Sequence, residues 1–234
     1  MNSNIWIGFF VNLLFAGIAF GARSVTLSGA LSGLLLGTWI YGFLGLAGFA
    51  VLAGFFILGS LFTRWGYGLK KGRGIAQKED GQRTYREAFA NCSVGSLLAS
   101  FAFFTGSPFY PLAFVASFAT ALADTTATEL GPLYGRITFL VPSFKKVPPG
   151  TPGGISLEGT LLGIGSAAVL TLLACFLALV RQSEVFLVIA GSTIGFLAES
   201  FLVRSAFMGG HETRNFLSTL FGAGAAIILA LLFQ

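Results

Sequence analysis

An all-α fold, a polytopic membrane bundle of about eight transmembrane helices, is what this chain predicts from three observations. Of its 234 residues, 55% are hydrophobic and only 10% charged, where a soluble domain carries about 25% charged residues. Mean hydropathy is +0.83. The apolar residues gather into runs of the roughly 20 residues an α-helix needs to cross a bilayer, divided by three polar stretches. One integral-membrane domain over residues 1–234 is the simplest organisation.

Residues 5–21 form the first span. They lack a basic leader and a small-residue cleavage site, so they read as a retained helix rather than a signal peptide. Residues 25–62 are too long for one span and suit two, with a turn near Gly42 to Gly48. A polar, basic loop follows at 63–87. Spans at 88–105 and 108–130 are joined by a short Gly-Ser-Pro turn. The second long loop, 131–156, leads to spans at 157–180 and 185–203. A third polar loop, 204–214, precedes the last span at 215–233.

The basic residues orient this layout. Arg23, Arg64, Lys70, Lys71, Arg73, Lys78, Arg83, Arg86, Arg136, Lys145, Lys146, Arg204 and Arg214 share one side, leaving Arg181 alone of the 14 on the other. Cytoplasmic loops carry the excess of Lys and Arg. The N-terminus is therefore expected outside, and loops 63–87, 131–156 and 204–214 inside. The net charge of +5 belongs to membrane-flanking loops and does not imply a nucleic-acid partner. In the first loop it reads as a solvated face that attracts anionic lipid.

Glycines recur every four residues at 17 and 21, at 29, 33 and 37, and at 191 and 195. Small residues so spaced let helix backbones approach closely in lipid. The Phe-rich segments read as lipid-facing or core surface. Cys92 and Cys175 lie in apolar segments without paired-cysteine spacing, so neither a disulfide framework nor a zinc site is expected. A faint internal echo relates residues 25–33 to 155–163, and 122–125 to 197–200.

Polarity concentrates between Leu122 and Thr160. Asp124 lies 16 residues into its apolar segment and Glu129 near its end. On a helix Asp124 shares a face with Thr128, and Thr125 with Glu129. Gly131 and Pro132 are expected to end that helix and turn Glu129 back toward Asp124. Carboxylates at a membrane boundary are costly unless paired or metal-bound, and their hard oxygens suit Mg²⁺ together with phosphate. Pairing with Arg136, Lys145 or Lys146 is the plainer alternative. Glu199 is a third candidate ligand, although Arg204 lies close enough in sequence to pair with it. Glu158 fits the first turn of a helix on dipole grounds alone.

The stretch Lys145 to Ser156 is the anion candidate. Gly150, Gly153 and Gly154 free backbone N–H groups for a ligand, and Ser156 can cap the helix that follows, whose N-terminus favours phosphate. Lys145 and Lys146 add mobile positive charge. No Walker A loop is present. His211, the one histidine, has no second histidine at the spacing a metalloprotease requires. Asn91 reads as a helix–helix bonding group or a site residue. Arg214 and Asn215 either touch a substrate or start the last helix.

Two runs, ADTTATELG and KKVPPGTPGGISLEGT, resemble an integral-membrane family of formerly unknown function. It includes the phytyl-phosphate kinases of the tocopherol pathway and an animal transmembrane protein. Asp124, Thr125, Ala127, Thr128 and Glu129 fill the first motif. Lys145, Val147, Pro148, Pro149, Gly150, Thr151, Gly153, Gly154 and Ser156 fill the second. Residues 83–91 and the closing run from Asn215 are also similar. Glu199 stands where the family pattern has aspartate, and Arg214 where it has an acid. The resemblance implies a prenyl monophosphate kinase using CTP or another NTP, with phytyl, farnesyl or geranylgeranyl monophosphate as acceptor. It implies Mg²⁺ on Asp124, Glu129 and Glu199. Lys145, Lys146, Thr125, Thr128, Thr151, the loop glycines, Ser156, Asn91 and Asn215 would hold phosphate. The membrane would be that of a bacterial, cyanobacterial-like cell or a thylakoid. A transporter of a small solute or lipid phosphate is the rival, but transporters set their charged groups near the midplane at broken helices, whereas these acids gather at one side.

Overall fold

The structure, a computed structural model, describes residues 2–77, 79–141, 143–202 and 210–233; side chains are described from residue 4 and not for Leu202. Among the described residues eight α-helices run in order: α1 (Asn2–Gly21), α2 (Leu27–Arg64), α3 (Tyr67–Gly72), α4 (Tyr85–Thr105), α5 (Phe109–Tyr134), α6 (Leu157–Phe176), α7 (Val185–Leu202) and α8 (His211–Phe233). Among the described residues, six helices are long and apolar enough to cross a membrane: α1, α2, α4, α6, α7 and α8. Large apolar side chains such as Trp6, Phe10, Leu14, Phe104, Phe176 and Phe233 point outward, as a surface in lipid requires. Arg204 and Lys78 lie outside the described residues.

The 38 residues of α2 hold two limbs. Gly45 breaks the helix with φ 60° and ψ −154°, a conformation open to glycine alone at little steric cost. The chain reverses there. Leu36 and Leu52 line one cavity, and side chains built at Gly29 and Gly59 would both strike Arg83. The turn falls inside the 42–48 window read from the sequence.

α5 is the hub. It touches α2, α4, α6, α7 and α8, and nearly every residue from Leu112 to Thr126 is buried. Its hydroxyls are satisfied within the helix. Thr120, Thr125, Thr126 and Thr128 donate to carbonyls one turn back at 2.7–2.8 Å, which lets polar side chains sit in an apolar core. Small side chains let neighbours close in. A Cβ at Gly163 would lie 2.9 Å from Ala123 O, and one at Gly159 2.9 Å from Gly131 Cα. Gly191 and Gly195 meet Ala226 and Gly222 in the same way, and Gly37 meets Asn12. Gly17, Gly21 and Gly33, equally spaced in sequence, have nothing within 4 Å and carry no such contact.

Three expectations change in the polar stretches. Pro132 does not stop α5, which continues to Tyr134; a proline in the last turn forfeits a single backbone bond. The 131–156 stretch folds as a small antiparallel sheet, β1 (Thr138–Leu140), β2 (Lys145–Val147) and β3 (Gly154–Ser156), in the order β2-β1-β3. The first loop is not uniformly solvated. Lys71, Arg73 and Arg86 are exposed, whereas Lys70 and Arg83 are buried. Both cysteines are free thiols.

Candidate functional site

Where the C-terminal ends of α5 and α7 meet the N-terminal ends of α6 and α8, the helices leave a cavity of about 230 Å³. Asp124 and Thr128 enter it from α5, Glu199 and Ser200 from α7. Gly150, Thr151, Gly153 and Gly154 wall it from the link between β2 and β3, and Ser156, Gly159 and Thr160 from the start of α6. His211 and Arg214 come from the first turn of α8. Ser156 caps α6 by accepting from Gly159 N at 3.1 Å. Gly150 and Gly153 take φ of 84° and 75°, so the turn between the strands depends on glycine. Thr151 fastens it by donating to Pro148 O at 2.7 Å.

The electrostatics of this cavity are unbalanced. Arg214 Nε donates to Glu199 Oε1 at 2.9 Å. Asp124 is 6% exposed, yet among the described residues its carboxylate accepts no hydrogen bond and joins no ion pair. It interacts at longer range with Glu199 and Arg214. A buried carboxylate without a donor is costly, and an oxygen pair from two helices beside a polar cavity is the donor set a hard cation accepts with phosphate.

The remaining candidates lie elsewhere. Glu129 follows Asp124 by five residues, about 140° round a helix of 3.6 residues per turn. It forms a buried salt bridge with Lys70 on the α2 side, not a third ligand beside Asp124. Lys70 Nζ also donates to Phe62 O and Thr63 O at 3.1 and 2.6 Å. Among the described residues no three His, Cys, Asp or Glu side chains are grouped as a metal site, so a cation here would rest on Asp124, Glu199 and ligand oxygens. Thr125 faces α2, with its Cγ2 close to Gly59. Lys145 and Lys146 are exposed on β2 and do not line the cavity. Asn91 donates to Glu87 O at 2.9 Å. Asn215 is buried, and its Oδ1 has no hydrogen-bond partner among the described residues. Burial pulls the Arg83 guanidinium below its ordinary pKa, opposed by Glu87 and Glu129; its charge lies 4.9 Å from the Phe55 ring centre.

Sequence reasoning missed Thr160, Ser200 and His211 as wall residues. The echo between 122–125 and 197–200 was the available signal, because it aligned Asp124 with Glu199 and Thr125 with Ser200. The other echo aligned Thr26 with Ser156, and both are N-caps that accept from the residue three further on, Gly29 and Gly159.

A family model described as integral membrane protein DUF92 matches residues 10–203. Among curated proteins, the chain is 34% identical over 180 residues to "Protein VTE6, chloroplastic" of Arabidopsis thaliana, covering 75% of this chain and 54% of that protein. It is 37% identical over 142 residues to an uncharacterized membrane protein of Synechocystis, covering 59% and 55%. It is 28% identical over 176 residues to another from Methanocaldococcus jannaschii, covering 72% and 70%. The chain thus spans about half the length of the first two relatives. No solved structure matches it.

Proposed function

This chain belongs to the integral membrane family DUF92, and from that membership we propose that it is a prenyl monophosphate kinase. It transfers the terminal phosphoryl group of CTP or another NTP to a long-chain isoprenoid monophosphate. A new bond forms between an acceptor phosphate oxygen and the donor's terminal phosphorus. The bond from that phosphorus to the bridging oxygen breaks, and the nucleoside diphosphate leaves with the electron pair. With the acceptor oxygen already ionised, no general base is needed. The observation that carries this reading is the buried Asp124 carboxylate, without a hydrogen bond or ion pair among the described residues, in a cavity shared with Glu199, Arg214 and a glycine turn.

Phosphoryl transfer depends on positioning and charge neutralisation more than on covalent participation by the protein. Asp124 and Glu199 would hold Mg²⁺, which supplies charge neutralisation on the transferring oxygens. Thr160 and the glycine backbone offer hydrogen bonds to phosphate, and the start of α6 contributes a favourable dipole. Arg214, paired with Glu199, adds positive charge to the same cavity. The prenyl nature of the acceptor is supported by the motif resemblance. The positive-inside pattern supports a cytoplasmic position for this end of the bundle, where nucleotides are available.

Purified protein supplied with Mg²⁺, labelled NTP and phytyl or farnesyl monophosphate is expected to yield labelled prenyl diphosphate. Asp124→Asn should lower that rate by about 10²–10³-fold, the scale of removing a group that stabilises transition-state charge. Wild-type rates in that variant would remove Asp124 from the site. Solute uptake into proteoliposomes without any transfer would favour a transporter instead.

A further inference from the structure

We propose that a second cavity, between α1, α2 and α4, binds the phosphate head of an anionic membrane lipid, with Arg83 as its charge partner. This site stands independently of the phosphoryl-transfer reading above. The cavity holds about 70 Å³ and is walled by apolar side chains, Phe15, Leu36, Leu52 and Phe55 among them. Among the described residues Arg83 is the one charged side chain in that wall. Its backbone fixes it there. Arg83 N donates to Ser24 O at 3.0 Å, and Arg83 O accepts from Thr26 N at 3.1 Å, which clips the start of α4 to the link between α1 and α2. Gly59 leaves the space that Nη2 occupies. Arg83 is 8% exposed, and among the described residues its guanidinium has no hydrogen bond and no ion pair. The face of Phe55 meets it at 4.9 Å. Glu87 and Glu129 act on it at longer range, but both carboxylates are engaged elsewhere. Glu87 accepts from Thr84 N at 2.7 Å, and Glu129 is paired with Lys70. A buried cation without an acceptor is costly, and phosphate oxygens are acceptors that suit a guanidinium.

The cavity also repeats the construction of the one at Asp124. Val25, Gly29 and Ala30 line it, and the echo sets them against Ile155, Gly159 and Thr160, which line the other. Thr26 and Ser156 cap the two helices alike. The chemistry differs. Ala30 stands in the place of Thr160, and no acid lines this wall among the described residues. An anion partner set in hydrocarbon suits a charged head carried on an apolar chain. The space is unfilled: Gly33 lines the cavity, and a Cβ built there would meet nothing within 4 Å. Ala16, Ala30 and Ala88 in the same wall are half-buried, so the cavity is not closed on all sides. Its volume takes a compact head and leaves the chains in the bilayer. Arg83 stands two residues before α4 begins, at the boundary where lipid phosphates lie. Basic pockets between membrane helices on the cytoplasmic side bind such heads.

Equilibrium binding of radiolabelled phosphatidylglycerol to the full chain in uncharged detergent tests this. Wild type is expected to bind it about fivefold tighter than phosphatidylcholine. Arg83→Gln should weaken binding about tenfold, the scale of a hydrogen bond to a charged group. Gly33→Leu fills the open space and leaves the guanidinium in place, so it should weaken binding as well. Asp124→Asn, in the other cavity, should bind the lipid as wild type does. Excess inorganic phosphate should not displace it. Equal affinity for the two lipids, or wild-type affinity in either Arg83→Gln or Gly33→Leu, overturns the proposal. Displacement by inorganic phosphate would make this a free-phosphate site, and tighter binding of farnesyl monophosphate a prenyl-phosphate site; either overturns the assignment to a membrane lipid. Lost binding in Asp124→Asn would place the lipid in the other cavity and overturn it too.

Discussion

Lys70 shows how a charge is accommodated where helices close over it. Its side chain is 2% exposed, and Glu129 opposite is 4% exposed. Three acceptors meet the ammonium: the Glu129 carboxylate and the carbonyls of Phe62 and Thr63 at the end of α2. The lysine thereby pins α3 and the end of α2 to α5. Breaking a buried pair by removing one partner costs about 3–5 kcal/mol, whereas replacing both by apolar groups is often close to neutral. Glu129→Gln is therefore expected to lower the thermal unfolding temperature in detergent sharply. The double variant Lys70→Met, Glu129→Leu should recover most of the loss. Unchanged unfolding in Glu129→Gln would show that this pair does not hold α5 to α2. Asp124 was legible for the same reason as Glu129: an acid inside an apolar run must have a reason. The sequence could not tell the two reasons apart, since a lysine 59 residues away answers one carboxylate and, among the described residues, no group bonds to the other.

Helix α5 and its contacts with α6 set the position of the acid relative to the phosphate wall. Gly159 and Gly163 let α6 lie against Gly131 and Ala123, which brings the second turn of α6 level with Asp124. Gly163→Leu should separate the two helices and reduce the yield of monodisperse protein by size exclusion, while Gly17→Leu, which faces open space, should not. Equal yields would show that the α5–α6 contact tolerates a large side chain. The four-residue spacing at 17 and 21 was as visible as that at 191 and 195, and only the second pair packs. Spacing shows that a close approach is possible and says nothing about whether a partner lies on that face. The small sheet escaped reading because strands of three residues are too short to show an alternating pattern, and the glycines and prolines around them read as loop.

For the whole molecule, the membrane class, the hairpin in α2 and the order of helices follow from the long apolar runs, which are the strongest signal a sequence carries. The site was legible in halves. The run from Asp124 to Ser156 drew attention through its motifs, while the partner half from Glu199 to Arg214 stood out only through a short echo. What joins the halves is packing of α5 and α6 against α7 and α8, and no local pattern reports that. The link between the halves runs through the turn at 177–184, at the end of the bundle away from the cavity, where Gln182 and Ser183 are exposed. In genetic terms, the two halves should behave as complementing alleles. A gene cut between codons 182 and 183 would place Asp124 and the glycine turn on one polypeptide, and Glu199 and Arg214 on another. Neither product alone should form prenyl diphosphate, and co-expression in one membrane should restore it, because helices already inserted need only find their packing partners. Activity from the longer fragment alone would show that α7 and α8 are dispensable.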